Sequence, residues 1–341
     1  IYKDMIQQVK DGVNLLNANN PAIDGDLFYD GDINKWKKFG GSLLLRIGMR
    51  LSEVAPDLAK QTVADAVTIG VMSQPEDICL LRHDGSGKNA FKNPLSFRYL
   101  DDNFIESDAV KIGKTFMDYL KKTKDPRIHV YCSLKDGNTE FDKQFGLPNG
   151  YDSHTIADAP SGSFVGLENT SNFNINTILR LDAPTIFLMP SETKLLLAEA
   201  VLRNWTNGNA EVLYKEAITS SMKEQEIAYG TQGKITDEEI ETYLAQNLFS
   251  TANNTEKLQI IGEQYWVATF INGYESYANW RRTGYPKLIP TNYSGSMSPG
   301  VIPTRLPYPT DEYSINRANV DTANQQQGAD KVTTHIWWDI D

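Results

Sequence analysis

Residues 190–221, PSETKLLLAEAVLRNWTNGNAEVLYKEAITSS, decide the fold. Pro190-Ser191 opens a helix with Ser191 in the capping position, and Leu195, Ala198 and Leu202 then recur on one face. Trp205-Thr-Asn-Gly208-Asn209 is a short, breaker-rich link. After it Ala210, Leu213, Tyr214, Ala217, Ile218 and Ser221 follow at i, i+3, i+4, i+7, i+8 and i+11, a second helical stripe. Two such stripes joined by so short a link pack antiparallel, as a helical hairpin.

Working outward, a similar pattern lies at 34–70. Trp36, Phe39, Leu43, Ile47 and Leu51 share a face, with Arg46 and Arg50 off it, and Pro56 ends the run. Asp57 stands as N-cap of a partner helix carrying Ala59, Val63, Ala66 and Val67. Met5, Val9, Val13 and Leu16 mark a helix end before the breaker cluster Asn17–Pro21. Ser107 reads as the cap of a helix with Val110, Met117 and Leu120 that ends at Lys121-Lys122-Thr-Lys124. Asp125-Pro126-Arg127 stops it, and Ile128–Tyr131 reads as a short strand. Thr236 or Asp237 opens a helix to Leu248, and Glu256 to about Arg282 reads as one long helix with Leu258, Ile261, Tyr265 and Ala268 in register. Residues 70–106 and 133–190 read as loops, and no helical period follows Gly284.

Small residues set against large ones across the 190–221 hairpin resemble a tetratricopeptide repeat over about one 34-residue period; residues 34–69 match it more loosely. The expected fold is mostly α: a tetratricopeptide-like helical hairpin superhelix with long irregular loops and minor β. It is expected as a single domain over 1–341, with scaffold at about 34–70, 107–122 and 191–282. Ligand loops are expected at about 70–106 and 133–190, and an irregular C-terminal segment at 284–341.

Composition narrows the function. Of the 341 residues 40% are hydrophobic and 23% charged, enough apolar side chain for a core. The net charge of −11 repels a phosphate backbone, so nucleic acid is not an expected partner; a neutral ligand meets no such barrier. No apolar run approaches the roughly 20 residues of a membrane span. Cys79 and Cys132 exclude a disulfide-dense scaffold and read as buried thiols. The four histidines have no metal-ligand spacing, and no cofactor or metal is expected. Asp24, Asp26, Asp30 and Asp32 lack the calcium-loop pattern and read as turn and capping residues. The stretch Gly85-Ser-Gly87-Lys88 lacks the spacing of a phosphate loop.

Several motifs then occur in one order: Gly31-Asp32 with Lys35-Trp36 and Phe39; Ser42 to Arg46 and Arg50; Asp125-Pro126-Arg127; Glu192 with Leu197-Ala198-Glu199-Ala200; Trp280-Arg281-Arg282-Thr283-Gly284; Pro303-Thr-Arg305 to Tyr308-Pro309 with Glu312, Asn316 and Asn319; and Trp337-Trp338-Asp339. This set resembles the SusD/RagB family of surface nutrient-binding lipoproteins, in its SusD-like branch, from about residue 24 to the C-terminus. The resemblance implies a non-catalytic glycan-binding lipoprotein on the extracellular face of the outer membrane. Such a protein passes an oligosaccharide or polysaccharide fragment, or in some members a peptide, to a TonB-dependent SusC-like transporter. Typical members are longer at the N-terminus, where the signal and lipid-anchor cysteine lie. The chain begins at Ile1, so the anchor is expected in a segment that precedes it.

A sugar ring has an apolar C–H face and a polar rim, so an exposed aromatic beside Asn, Asp or Arg is the chemistry to look for. In the loops, Phe91, Tyr99, Phe104, Tyr151 and Phe164 supply rings, and Arg98, Asn103 and Asp152 supply rim partners. The helical aromatics Trp36, Phe39, Tyr214, Tyr265 and Trp266 read as core, and Trp280, Trp337 and Trp338 as structural. The competing functions are a peptide-binding member of the same family and a helical glycoside hydrolase. The latter needs two carboxylates at a defined separation, and no motif here fixes such a pair.

Overall fold

The structure, a computed structural model, describes residues 1–17, 24–101, 111–152, 154–249, 253–293 and 295–340. Among them are thirteen helices and two small antiparallel sheets. The N-terminal half holds α1 (Tyr2–Leu15), α2 (Ile33–Arg50), α3 (Pro56–Ile69), α4 (Pro94–Asp101), α5 (Lys114–Thr123) and the single turn α6 (Ile128–Tyr131). Then come α7 (Pro190–Leu202), α8 (Ala210–Tyr229), α9 (Asp237–Gln246), α10 (Asn254–Ala268), α11 (Gly273–Thr283), α12 (Thr310–Ile315) and α13 (Arg317–Gln327). Strand β1 (Cys79–Leu81) pairs with β4 (Thr185–Leu188), and β2 (Cys132–Ser133) with β3 (Asn172–Phe173). None of these helices is long and apolar enough to cross a membrane.

The frame is built as the periodicity predicts. Helix α7 packs on α8 and α2 on α3, while α10 closes on both α7 and α11. One continuous core runs through them, including Leu44, Val63, Leu195, Ala198, Tyr214, Ala217, Ile218 and Tyr265. Helix α1 extends the stack by packing on α2. A glycine is required at 41: a methyl there would stand 2.0 Å from the carbonyl oxygen of Gly70, where the chain leaving α3 crosses α2. The Asp/Gly turns behave as turns: Asp26 accepts the Phe28 and Gly31 N–H groups and the Trp36 indole, and Asp32 caps α2. Both cysteines are buried and free.

Buried charge ties the hairpins together. Arg46 of α2 donates to Glu192 of α7 at 2.5 and 2.7 Å. Arg282 of α11 donates to Glu199 of α7 at 2.6 and 2.7 Å, and also to Asn279 and Ser52. Arg127, wholly buried, holds Asp125 at 2.9 and 2.5 Å and reaches Ser221 and Gln264. In the C-terminal motif, Trp338 is buried, with the guanidinium groups of Arg50 and Arg281 over its ring at 5.2 and 4.6 Å from the ring centre. Trp337 stays exposed, 5.9 Å from the Tyr2 ring.

Several elements differ from the sequence expectation. Residues 128–131 form a helical turn, not a strand, because Arg127 is pinned and its carbonyl accepts the N–H groups of Val130 and Tyr131; the strand begins at Cys132. The expected loop 70–106 contains β1 and α4, the latter capped by Asn93, whose buried side chain accepts the Leu95 and Ser96 N–H groups. The helix expected from Ser107 starts at Lys114; Ser107 and Val110 lie outside the described residues. Asp57 and Ser191 are not caps: a proline occupies the first turn of α3 and of α7, and each residue falls inside its helix. The long helix to Arg282 is two, interrupted at 269–272, where Asn272 caps α11 by accepting the Glu275 N–H. The tail after Gly284 carries α12 and α13, polar helices whose weak apolar pattern hid them.

Candidate functional site

The long 133–190 segment is stitched to the frame through backbone bonds. Lys114 N–H donates to the Leu147 carbonyl, Leu147 N–H to Ile112, Ile112 N–H to Ser171 and Ser171 N–H to Phe145, at 2.7–2.9 Å. The approach is close enough that a methyl on Gly146 would sit 2.4 Å from the Lys114 Cα. This seam presents Pro148-Asn149-Gly150-Tyr151 at the start of α5. The C-terminal segment 288–303 crosses the same place: a methyl on Gly150 would meet Thr291 at 2.9 Å.

Between these segments runs a groove with two adjoining lobes of about 500 and 470 Å³, both bordered by Thr115, Asn149, Ile289, Pro290 and Thr291. The first lobe is floored by Phe116 and half-buried Trp266, whose rings meet edge to face at 4.9 Å. Phe116 is stacked in turn on Phe270 at 4.2 Å, which ties the floor to the core. The second lobe is walled by Tyr151, Pro160, Ser163 and Asn292. Tyr293, 41% exposed, stands beside it and donates its hydroxyl to Asp152 at 2.6 Å, joining the two segments. Asp152 also accepts the N–H groups of His154 and Thr155. The Tyr293 hydroxyl and these backbone donors hold its carboxyl well below the usual range, so Asp152 is a fixed anion and a hydrogen-bond acceptor.

Of the residues expected in a site, Tyr151 lines this groove, and Asp152 follows it in the chain without lining either lobe. Phe164 is half-buried and follows Ser163 of its wall. Phe91 is exposed on a separate turn, where its carbonyl accepts the Asp84 N–H. Arg98 and Tyr99 sit on α4, and neither borders the groove. Tyr99 is packed against the core with its ring edge-on to Phe173, and burial raises its hydroxyl pKa. Asn103 and Phe104 lie outside the described residues. Sequence reasoning missed Asn149, Trp266, Thr291 and Tyr293. Trp266 was hidden because its helical register is that of a core residue. Tyr293 and its neighbours sit in the aperiodic tail, where a Tyr/Asn-rich stretch after Ile289-Pro290 was the available signal.

The geometry describes a loop-bearing helical-repeat frame with a groove that has an aromatic floor and a polar rim. The chain belongs to the SusD-like family described as starch-binding and associating with the outer membrane, whose profile matches residues 1–309. Among solved structures, a chitin-binding protein is 30% identical with a TM-score of 0.83, the match covering all of this chain and 72% of that one. A SusD-like protein from Bacteroidetes is 25% identical (TM-score 0.82; all of this chain, 76% of that one). A SusD homologue from Bacteroides uniformis is 26% identical (0.81; all of this chain, 72% of that one). No curated protein matches the chain.

Proposed function

We propose that this chain is a non-catalytic glycan-binding protein that holds an oligosaccharide in the Tyr151–Trp266–Tyr293 groove. In this reading it acts at the extracellular face of the outer membrane and delivers its cargo to a TonB-dependent SusC-like transporter. The observation that carries the reading is the groove itself: aromatic and proline surfaces for the C–H faces of a ring, with Asn149, Thr291 and Asn292 set around them for hydroxyls. Two or three ring contacts at about 0.5–1.5 kcal/mol each total about 1–4.5 kcal/mol, which by itself reaches only about millimolar affinity at its upper end; hydroxyl contacts supply the rest, and weak binding suits a carrier that must release its load.

The chemistry of the groove favours binding over hydrolysis. A glycosidase needs a carboxylic acid kept protonated opposite a second carboxylate. Here Asp118 borders the groove paired with Lys114, and Asp152 is held ionised. The carboxyls that burial does push up, Glu192 and Glu224, are sealed inside the frame. The membership of a family described as starch-binding, and the chitin-binding neighbour, support the glycan over the peptide alternative.

The test is titration calorimetry against maltoheptaose and chitohexaose, with chromatography of the sugar after overnight incubation. Tyr151→Ala should weaken binding about threefold to tenfold with the circular dichroism spectrum unchanged. Shortened sugars, or equal affinity for variant and wild type, would overturn the assignment.

A further inference from the structure

A second cleft lies where the expected long helix breaks. The interruption between α10 and α11 carries Tyr274 to the surface, 92% exposed. Phe187, in β4, is 43% exposed, propped edge-on against Phe28 at 5.5 Å. The cleft that both rings border has a volume of about 490 Å³ and an aliphatic lining that includes Ile186 and Ile271. It shares no lining residue with the groove of Tyr151.

Two fixed polar groups also border it. Arg46 is locked by Glu192 through Nε and Nη2 and by the Phe187 carbonyl through Nη2, and its Nη1 makes no hydrogen bond among the described residues. Asn272 uses Oδ1 to cap α11, and its Nδ2 has no partner among the described residues. A purely apolar occupant would cover these donors and leave them unsatisfied. An anion would meet a guanidinium already neutralised by Glu192. A neutral ring with an apolar face and a rim of hydroxyls satisfies both the ring surfaces and the donors.

We propose that the Tyr274–Phe187 cleft is a second saccharide-binding surface, taking a neutral pyranose unit through stacking on Tyr274 and hydroxyl contacts to Arg46 and Asn272. The inference rests on the saccharide-binding reading of the chain and adds a site to it. Tyr274 is suited to the test because so exposed a ring contributes little to the core.

Four full-length proteins are compared: wild type, Tyr151→Ala, Tyr274→Ala and the double variant. Each is titrated with maltotriose and chitotriose and run through native gels containing starch or glycol chitin. The wild-type protein should require two trisaccharide sites, and each single variant should weaken one of them about threefold to tenfold and leave the other unchanged, with a matching loss of gel retardation in Tyr274→Ala. The double variant should show both sites weakened and retardation below that of either single variant. Wild-type affinities at both sites and wild-type retardation in Tyr274→Ala, with Tyr151→Ala impaired, would overturn the second surface and leave the first standing. A wild-type protein that binds no saccharide would overturn both.

Discussion

Glu224 offers a sharp test of how the α7–α8 hairpin is held. Its side chain is fully buried, accepting the Ser191 N–H at 2.8 Å, the Ser191 hydroxyl at 2.6 Å and the Ser220 hydroxyl at 2.9 Å. Burial outweighs those donors and pushes the carboxyl from an ordinary 4.5 up to about 7. Below pH 4.5 the group is protonated in both folded and unfolded chains and costs nothing. As pH rises from 4.5 to about 7 the unfolded chain ionises first, so stability falls across that window and levels off above it. The gap corresponds to about 3 kcal/mol. Glu224→Gln is nearly isosteric: its oxygen can accept from Ser191 N–H and Ser220, and its amide can donate to the Ser191 hydroxyl. The variant should match wild type in urea unfolding at pH 4.2 and exceed it by about 3 kcal/mol at pH 8. Taking the difference between the two proteins cancels every other titrating group. A difference that does not change with pH, or a variant weaker than wild type at pH 8, would refute the assignment of this cost to Glu224.

Arg127→Met should destabilise the chain by about 3–5 kcal/mol in urea unfolding, because it strands the fully buried Asp125 carboxylate. Adding Asp125→Asn should restore part of the loss, and a single-variant cost below about 1 kcal/mol would show the pair to be dispensable. Tyr293→Phe removes the donor that contributes most to keeping Asp152 ionised, so the Asp152 carboxyl titration, followed by carbon NMR, should move up toward its ordinary value. An unmoved titration would mean that the two segments of the groove are not joined there.

What the sequence revealed and what it hid have a common physical cause. The residues that make the family legible are the buried charges: Arg46 meets Glu192, Arg282 meets Glu199, and Asp125-Pro-Arg127 closes on itself inside the core. An ion pair taken out of water must be matched partner for partner, so its members can be recognised at fixed places along the chain. The same holds for Trp338, whose ring meets the guanidinium groups of Arg50 and Arg281. These residues identify a frame. Periodicity located its hairpins, since packing enforces it on α2, α3, α7 and α8, but it missed α12 and α13, which bury little beyond Val320.

The groove obeys neither constraint. Tyr151, Thr291 and Tyr293 are placed by backbone seams and by a Tyr–Asp bond between segments 141 residues apart, and such pairings leave no periodic trace. Trp266 carries the pattern of a core residue because one face of it is core, against Phe116 and Tyr119. The break before Tyr274 shows the limit from the other side. Leu258, Ile261, Tyr265 and Ala268 march in register to the end of α10, and the interruption rests on local bonds: the Thr269 hydroxyl to the Tyr265 carbonyl, and Asn272 capping the next helix. A strong period thus reports which face of a helix is buried and says little about where the helix stops. Tyr151, Thr291 and Tyr274 stand where the period fails, whereas Trp266 borders the groove from within the period.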